Sequence, residues 1–273
     1  MTREPRGQAD RLVITDADKL MRPATRRQFV RLLGLGGSVA LMPGVFAGCA
    51  TGMLGSATAA DLQFDLRSDV GIFRLVHTLE QLEAAFYTAV VASPTFNSFF
   101  SSAERELFTD LRDVEIVHRE FLRTALGSQA VPDVTASINP STLASILSSR
   151  ANTLGAARLF EHLGVAGLNG AGKYLQDARN LLLAGKFVSV EARHAAALRD
   201  VAPPSGINPN TAFAGDDIVD SNGMDVKLEA GAALDKVAAT NLVLNGMVSS
   251  RNIVGAPTAS QGVASANYFP TTP

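Results

Sequence analysis

Twice in this 273-residue chain a glutamate and a histidine stand three apart within an apolar helical stripe: Glu115 and His118 in "DVEIVHREF", and Glu191 and His194 in "SVEARHAAALRD". Residues at i and i+3 share one face of a helix, so each pair points where its leucine and valine neighbours point, into a core. Two further segments each carry one glutamate on the same kind of stripe, Glu80 in "HTLEQLEAAFY" and Glu161 in "FEHLGVAG". A carboxylate buried alone costs several kcal/mol, so any fold that accepts this pattern must supply a counter-charge.

The surrounding periodicity predicts four long helices. The first covers about 69–92, with Phe73, Val76, Ala84, Tyr87 and Val91 recurring at three and four, and Pro94 stops it. The second opens at Ser101, where Glu104 completes a capping-box signature, and ends at Gly127; its stripe is Phe108, Leu111, Glu115, His118 and Leu122. Asn139 before Pro140 starts the third, which carries Leu143, Leu147, Leu154, Ala157, Glu161 and Leu168 and is expected to dissolve in the run "AGLNGAG". The fourth covers about 173–200, with Leu181, Ala184, Val188, Glu191, Ala195 and Leu198 on one face, before the prolines at 203–204.

Helices of this size are roughly 36–42 Å long at ~1.5 Å per residue. The connection between the second and third, roughly 13 residues at ~3.3 Å each, can travel that distance. An all-α four-helix bundle with one long crossover connection follows, in preference to a plain up-and-down bundle. Residues 203–273 turn rich in Ser, Thr, Asn, Gly and Ala, with one expected helix from Met224 to about Leu244. This C-terminal extension either wraps the bundle or serves a contact in a homo-oligomer.

The first 60 residues read as an address. Arg26 and Arg27 sit in Thr-Arg-Arg-Gln-Phe-Val-Arg, ahead of an uncharged apolar run from Leu32 to Phe46. That run is shorter than the roughly 20 residues a membrane-spanning helix needs. It resembles a twin-arginine export signal, a route that carries proteins already folded, often with a metal or cofactor in place. Cys49 is the only cysteine, so no intrachain disulfide forms. "VFAGC" resembles a bacterial lipobox, with Phe46 where leucine is usual, which implies a lipid anchor at Cys49; cleavage after Ala60 is the alternative. Either outcome implies a periplasmic or membrane-anchored protein that meets membrane only through Cys49.

A net charge of −2, with no basic run beyond the N-terminus, argues against nucleic acid as a partner. Removing residues 1–48, which hold eight basic and four acidic residues, leaves 16 basic and 22 acidic. The remaining chain is acidic.

Four carboxylates and two imidazoles balance two divalent cations. One glutamate from each of two helices and a Glu-x-x-His from each of two others is the ligand set of di-iron and di-manganese carboxylate bundles. The blocks "LEQLEAAFY", "DVEIVHREF", "FEHLGVAG" and "VEARHAAALR" resemble the ferritin-like superfamily over residues 65–202, and within it the exported ferritin-like domain proteins related to plant desiccation-related proteins.

The resemblance implies two iron or manganese ions. Glu80 and Glu161 would be single ligands, Glu115 and Glu191 would bridge or chelate, and His118 and His194 would each cap one metal. Tyr87 would stand beside the centre in a catalytic role. Metal oxidation coupled to reduction of O2 or peroxide, in envelope stress protection, is the implied activity; a non-catalytic desiccation or stress protein with a structural metal site is the alternative. The chain lacks the cysteine pairs of a rubredoxin-like electron donor.

Other titratable residues carry blander expectations. Glu83, one turn from Glu80, is an alternative first ligand. His77 is expected to be structural, and His162, about 100° around the helix from Glu161, to lie at the surface or behind a ligand. "GLNGAGKY" lacks the Ser or Thr and the preceding strand that a phosphate loop needs. Glu104, Glu106 and Glu120 are expected at the surface.

Overall fold

Each long helix begins where a small polar side chain takes up a free backbone N–H of the first turn. Ser68 accepts from Gly71, Ser101 from Glu104, Ser149 from Asn152 and Asp177 from Arg179. The computed structural model describes residues 61–244 and 247–262. Arg26, Arg27, Cys49 and the apolar run between them lie outside the described residues. In chain order the helices are α1 (Asp69–Ala92), α2 (Phe96–Phe99), α3 (Ser102–Leu126), α4 (Pro140–Ile146), α5 (Arg150–Gly172), α6 (Ala178–Val201) and α7 (Ala230–Ala239). A minimal parallel pair, β1 (Phe64–Asp65) with β2 (Ile253–Gly255), ties the two ends of the described chain together.

The bundle proper is α1, α3, α5 and α6, packed mainly as the pairs α1/α3 and α5/α6. Its apolar interior falls into two clusters. One holds Ile72 to Leu82 of α1, Leu122 and Leu126 of α3, Leu163 to Ala171 of α5, and Ala184 and Phe187 of α6. The other holds Phe86 to Val90, Phe108 and Leu111, Leu154 to Phe160, and Leu198 of the same four helices. Chain direction follows from these lists: α1 and α6 run from the first cluster to the second, and α3 and α5 run the opposite way. Because α3 and α5 are parallel, residues 127–139 must traverse the bundle. This is the single long crossover expected from the sequence.

The buried Gln81 side chain holds that crossover. Its Oε1 accepts from Val134 N at 3.1 Å, and its Nε2 donates to Pro132 O at 3.3 Å. Arg74 adds a bond to Gln129 O. Val131 and Val134 meanwhile sink into the first cluster, so the connection contributes core as well as reach.

Several sequence expectations are corrected. The third helix is two, broken at 147–149. Ser149 is extended there, with φ −153° and ψ 156°, and Thr153 Oγ1 closes the joint onto Ile146 O and Ser149 O. Its C-terminal half does not dissolve, and α5 stays helical to Gly172. At Gly170 a Cβ would lie 1.7 Å from Leu228 O, so the glycine face is where the C-terminal extension lies against the helix. Leu228 N donates to Ala166 O at 2.9 Å along the same face. The fourth helix starts at Ala178 rather than 173, and the helix expected over 224–244 shortens to α7, because residues 226–229 are occupied in this docking. Among the described residues the extension wraps the bundle.

Glu104 is buried, not a surface residue. Its carboxylate accepts from Ser101 N at 2.7 Å and pairs with Arg150 of α5. No helix among the described residues is long and apolar enough to cross a membrane.

Candidate metal centre

Between the two apolar clusters, at one level of the bundle, all four helices turn polar side chains inward. Glu80, Glu115, Glu161 and Glu191 are 0–2 % exposed, and His118 is 9 % exposed. The Glu-x-x-His pairs arise because α3 and α6 each present i and i+3 to the axis. The six residues named from the sequence therefore meet, and they do so as two overlapping groups. Glu80, Glu115, His118 and Glu191 bring one atom each within 4.8 Å of one another, as do Glu115, Glu161, Glu191 and His194. Glu115 and Glu191 are common to both.

The distances converge more closely than pairwise hydrogen bonding requires. Nδ1 of His118 lies 3.2 Å from Glu80 Oε2, 3.2 Å from Glu115 Oε2 and 3.2 Å from Glu191 Oε1, oxygens from three helices. One N–H cannot point at three acceptors. Donor atoms held about 2.1 Å from a shared first-row cation stand about 3.0–3.5 Å apart, which matches. On the other side His194 Nδ1 is 2.9 Å from Glu115 Oε1 and 3.3 Å from Glu161 Oε2. These atoms, with both oxygens of Glu191, are buried without a hydrogen-bond partner. So many orphaned lone pairs converging on one layer fit cations.

Tyr87 lies at the edge of this layer, its hydroxyl donating to Glu161 Oε1 at 2.6 Å and its ring packed on Phe86 and Phe108. Burial, and then the Glu161 charge, pushes the phenol well above its ordinary range, so it keeps its proton. Glu83 is also inside: an added Cβ on Gly164 would meet Glu191 Oε2 at 3.3 Å and Glu83 Oε1 at 3.4 Å. It stands outside both four-residue groups.

The electrostatics follow from crowding acids in a dry place. Burial pushes Glu80 up to about 8 against the pull of His118. Burial, then the charges of neighbouring carboxylates, drives Glu83 and Glu191 well above the usual range. Burial opposes ionisation of Glu115 too, but the imidazoles of His118 and His194 that face it outweigh burial and hold this carboxyl far below the usual range. Both histidines rise despite burial, His194 to about 10, because each faces carboxylates. Without cations the layer is held together by protons. Divalent ions would displace them.

Residues 68–203 match the family model described as a ferritin-like domain. The bundle is a ferritin-like domain. No curated protein and no solved structure gives a significant match to the chain. The ferritin-like match spans all four long helices, and so every residue of the polar layer, while α7 and β2 lie beyond it.

Two buried polar features of the ferritin-like domain escaped the sequence reading or were only half seen. Arg199 of α6 is 1 % exposed; it pairs with Asp217 Oδ1 at 2.5 Å, donates to Ala212 O, and lies 3.2 Å from His162 Nε2. It anchors the extension to the bundle, and His162 faces it rather than joining either four-residue group. A long-range acidic partner 18 residues on leaves no local pattern to read.

His77 is 1 % exposed, with both ring nitrogens lacking a hydrogen-bond partner. Burial lowers its pKa from 6.5 to about 4. Between those values the unfolded chain binds the extra proton, so this contribution to stability is intact above pH 6.5 and is lost as pH falls towards 4. Replacing His77 by phenylalanine removes it. In urea unfolding of the two proteins, their stability difference should shift by about 2 kcal/mol in favour of His77→Phe between pH 7 and pH 4.5.

Proposed function

We propose that Glu80, Glu115, His118, Glu161, Glu191 and His194 hold two divalent ions, iron or manganese, and that the loaded protein couples metal oxidation to reduction of O2 or peroxide. One observation carries this reading: a single histidine nitrogen equidistant, at 3.2 Å, from carboxylate oxygens of three helices. Charge supports it. Four carboxylates and two imidazoles neutralise two dications, and Glu83 stands outside both groups. The ions supply Lewis acidity and one-electron redox chemistry at the centre.

The chain's own residues set the conditions for that chemistry. Glu115 and Glu191 are the shared carboxylates, and His118 and His194 each face one side of the layer. Tyr87 holds its proton against Glu161 Oε1 and fixes that carboxylate's orientation. The apolar clusters above and below keep bulk water from the layer, which strengthens each charge interaction within it. On this reading the protein belongs to the envelope stress functions of the exported ferritin-like proteins, delivered by the twin-arginine route and lipid-anchored at Cys49.

Metal analysis of the purified full chain, followed by anaerobic Fe(II) loading and an oxygen pulse, tests the proposal. The expected result is about two ions per chain, as in di-metal carboxylate bundles, with oxygen consumed. Two ions without oxygen uptake would replace the redox reading by a structural metal site in a stress protein. No bound metal after reconstitution would overturn the centre itself.

A further inference from the structure

A small cavity of about 20 Å³ lies beside the polar layer, between α1, α5 and the C-terminal extension. Leu82 and Leu163 line it from the bundle, and Val237 and Leu242 close over it from the extension. Among the described residues Glu83 is the only polar side chain in its wall, and Gly164 lines it too. A Cβ on Gly164 would stand 3.3 Å from Glu191 Oε2 and 3.4 Å from Glu83 Oε1, so this is where the wall comes up against the shared carboxylate.

A volume of this size admits one molecule about as large as water. Walls of leucine and valine offer water no adequate set of partners, so the chemistry they suit is a small, uncharged, weakly polar molecule. On its outer side the cavity shares Phe160 with a surface groove of about 470 Å³ that is rimmed by Ser141, Thr142, Thr240 and Asn241. Phe160 thus borders both the groove and the cavity, and Gly164 borders both the cavity and the shared carboxylate Glu191.

We infer that this cavity is the entry chamber through which a small uncharged molecule reaches the centre, with Val237 and Leu242 of the extension as its outer wall. Dioxygen is the occupant that the proposed activity implies, and to that extent the inference rests on that reading. It also gives the extension a task beyond packing, since neither Val237 nor Leu242 lies within residues 68–203.

Xenon, as an inert probe of matching polarity, tests the chamber without metal. In methyl NMR of the full chain, saturable xenon-induced shifts are expected at Leu82, Leu163 and Leu242. Val237→Ala should strengthen them, and Val237→Met, whose flexible side chain fills the space, should abolish them. No saturable shift in wild type and Val237→Ala, or shifts that survive Val237→Met, would overturn the chamber.

The second arm measures oxygen uptake by the Fe(II)-loaded protein at limiting oxygen. The expected result for Val237→Met is a fall of about tenfold in kcat/KM for oxygen, with metal content and saturating rate unchanged. Equal kcat/KM in all three proteins would overturn the entry role. Absence of oxygen uptake in wild type would instead remove the redox reading and dioxygen as occupant, while the xenon shifts still decide the chamber.

Discussion

Glu115→Ala is expected to take the metal content of the protein from about two ions per chain to none, whereas His118→Ala and His194→Ala each retain about one. The difference comes from sharing. Glu115 belongs to both four-residue groups, with Oε2 at 3.2 Å from His118 Nδ1 and Oε1 at 2.9 Å from His194 Nδ1. Each histidine belongs to one group. Removing Glu115 also takes from His194 its closest carboxylate and from His118 one of three equidistant ones, a loss of about 3–5 kcal/mol by the measure of broken buried ion pairs. Circular dichroism must therefore accompany the metal analysis. Glu115→Gln, which keeps the shape and removes the charge, separates folding from binding; it should stay folded and still lose metal. If Glu115→Ala kept one ion as the histidine variants do, the two groups would not share a carboxylate in solution.

Gly170→Ala, a substitution that ordinarily favours a helix, should here destabilise the protein by about 3 kcal/mol or more. The added Cβ would lie 1.7 Å from the backbone carbonyl oxygen of Leu228, and a backbone atom cannot rotate away. Either α5 shifts or the extension lifts off, giving up the Leu228–Ala166 hydrogen bond and the Lys173–Glu229 ion pair. Limited proteolysis distinguishes these, because a lifted extension exposes residues 203–229 to cleavage. Gly185→Ala in α6 is the control. An added Cβ there meets nothing within 4 Å, so it should stabilise by about 0.5–1 kcal/mol. Thermal unfolding midpoints moving in the same direction for both variants would refute the steric account.

The bundle was legible because its signals are local. Ser101 with Glu104, and Asn139 with Pro140, announce helix starts within four residues, and both behave as their chemistry requires. The site residues were nameable for a related reason: a glutamate on an apolar stripe contradicts its neighbours unless something compensates it, and four stripes carried that contradiction. Glycine misled. In "AGLNGAG" the intrinsic cost of glycine in a helix argued for an end to α5, yet the helix continues, with Gly170 where the Leu228 backbone comes close and Gly167 where Ala233 packs. Gln81, Arg199 and Glu104 were missed or misplaced because each is satisfied by a partner far along the chain.

The sequence by itself determined which faces of the four helices are buried, that two of them carry an acid and an imidazole one turn apart, and that a parallel α3 and α5 need a long connection. Periodicity and spacing suffice for that, since they act within one helix or across one loop. Only the tertiary structure decided that the polar residues meet at one level between two apolar clusters, and that Glu115 and Glu191 are the shared pair. It also decided that Glu83 stands at a cavity rather than in either group, and that the extension closes over that cavity. These depend on the axial register of helices relative to one another, which is set by side-chain interlocking between segments distant in sequence and leaves no periodic trace in any of them.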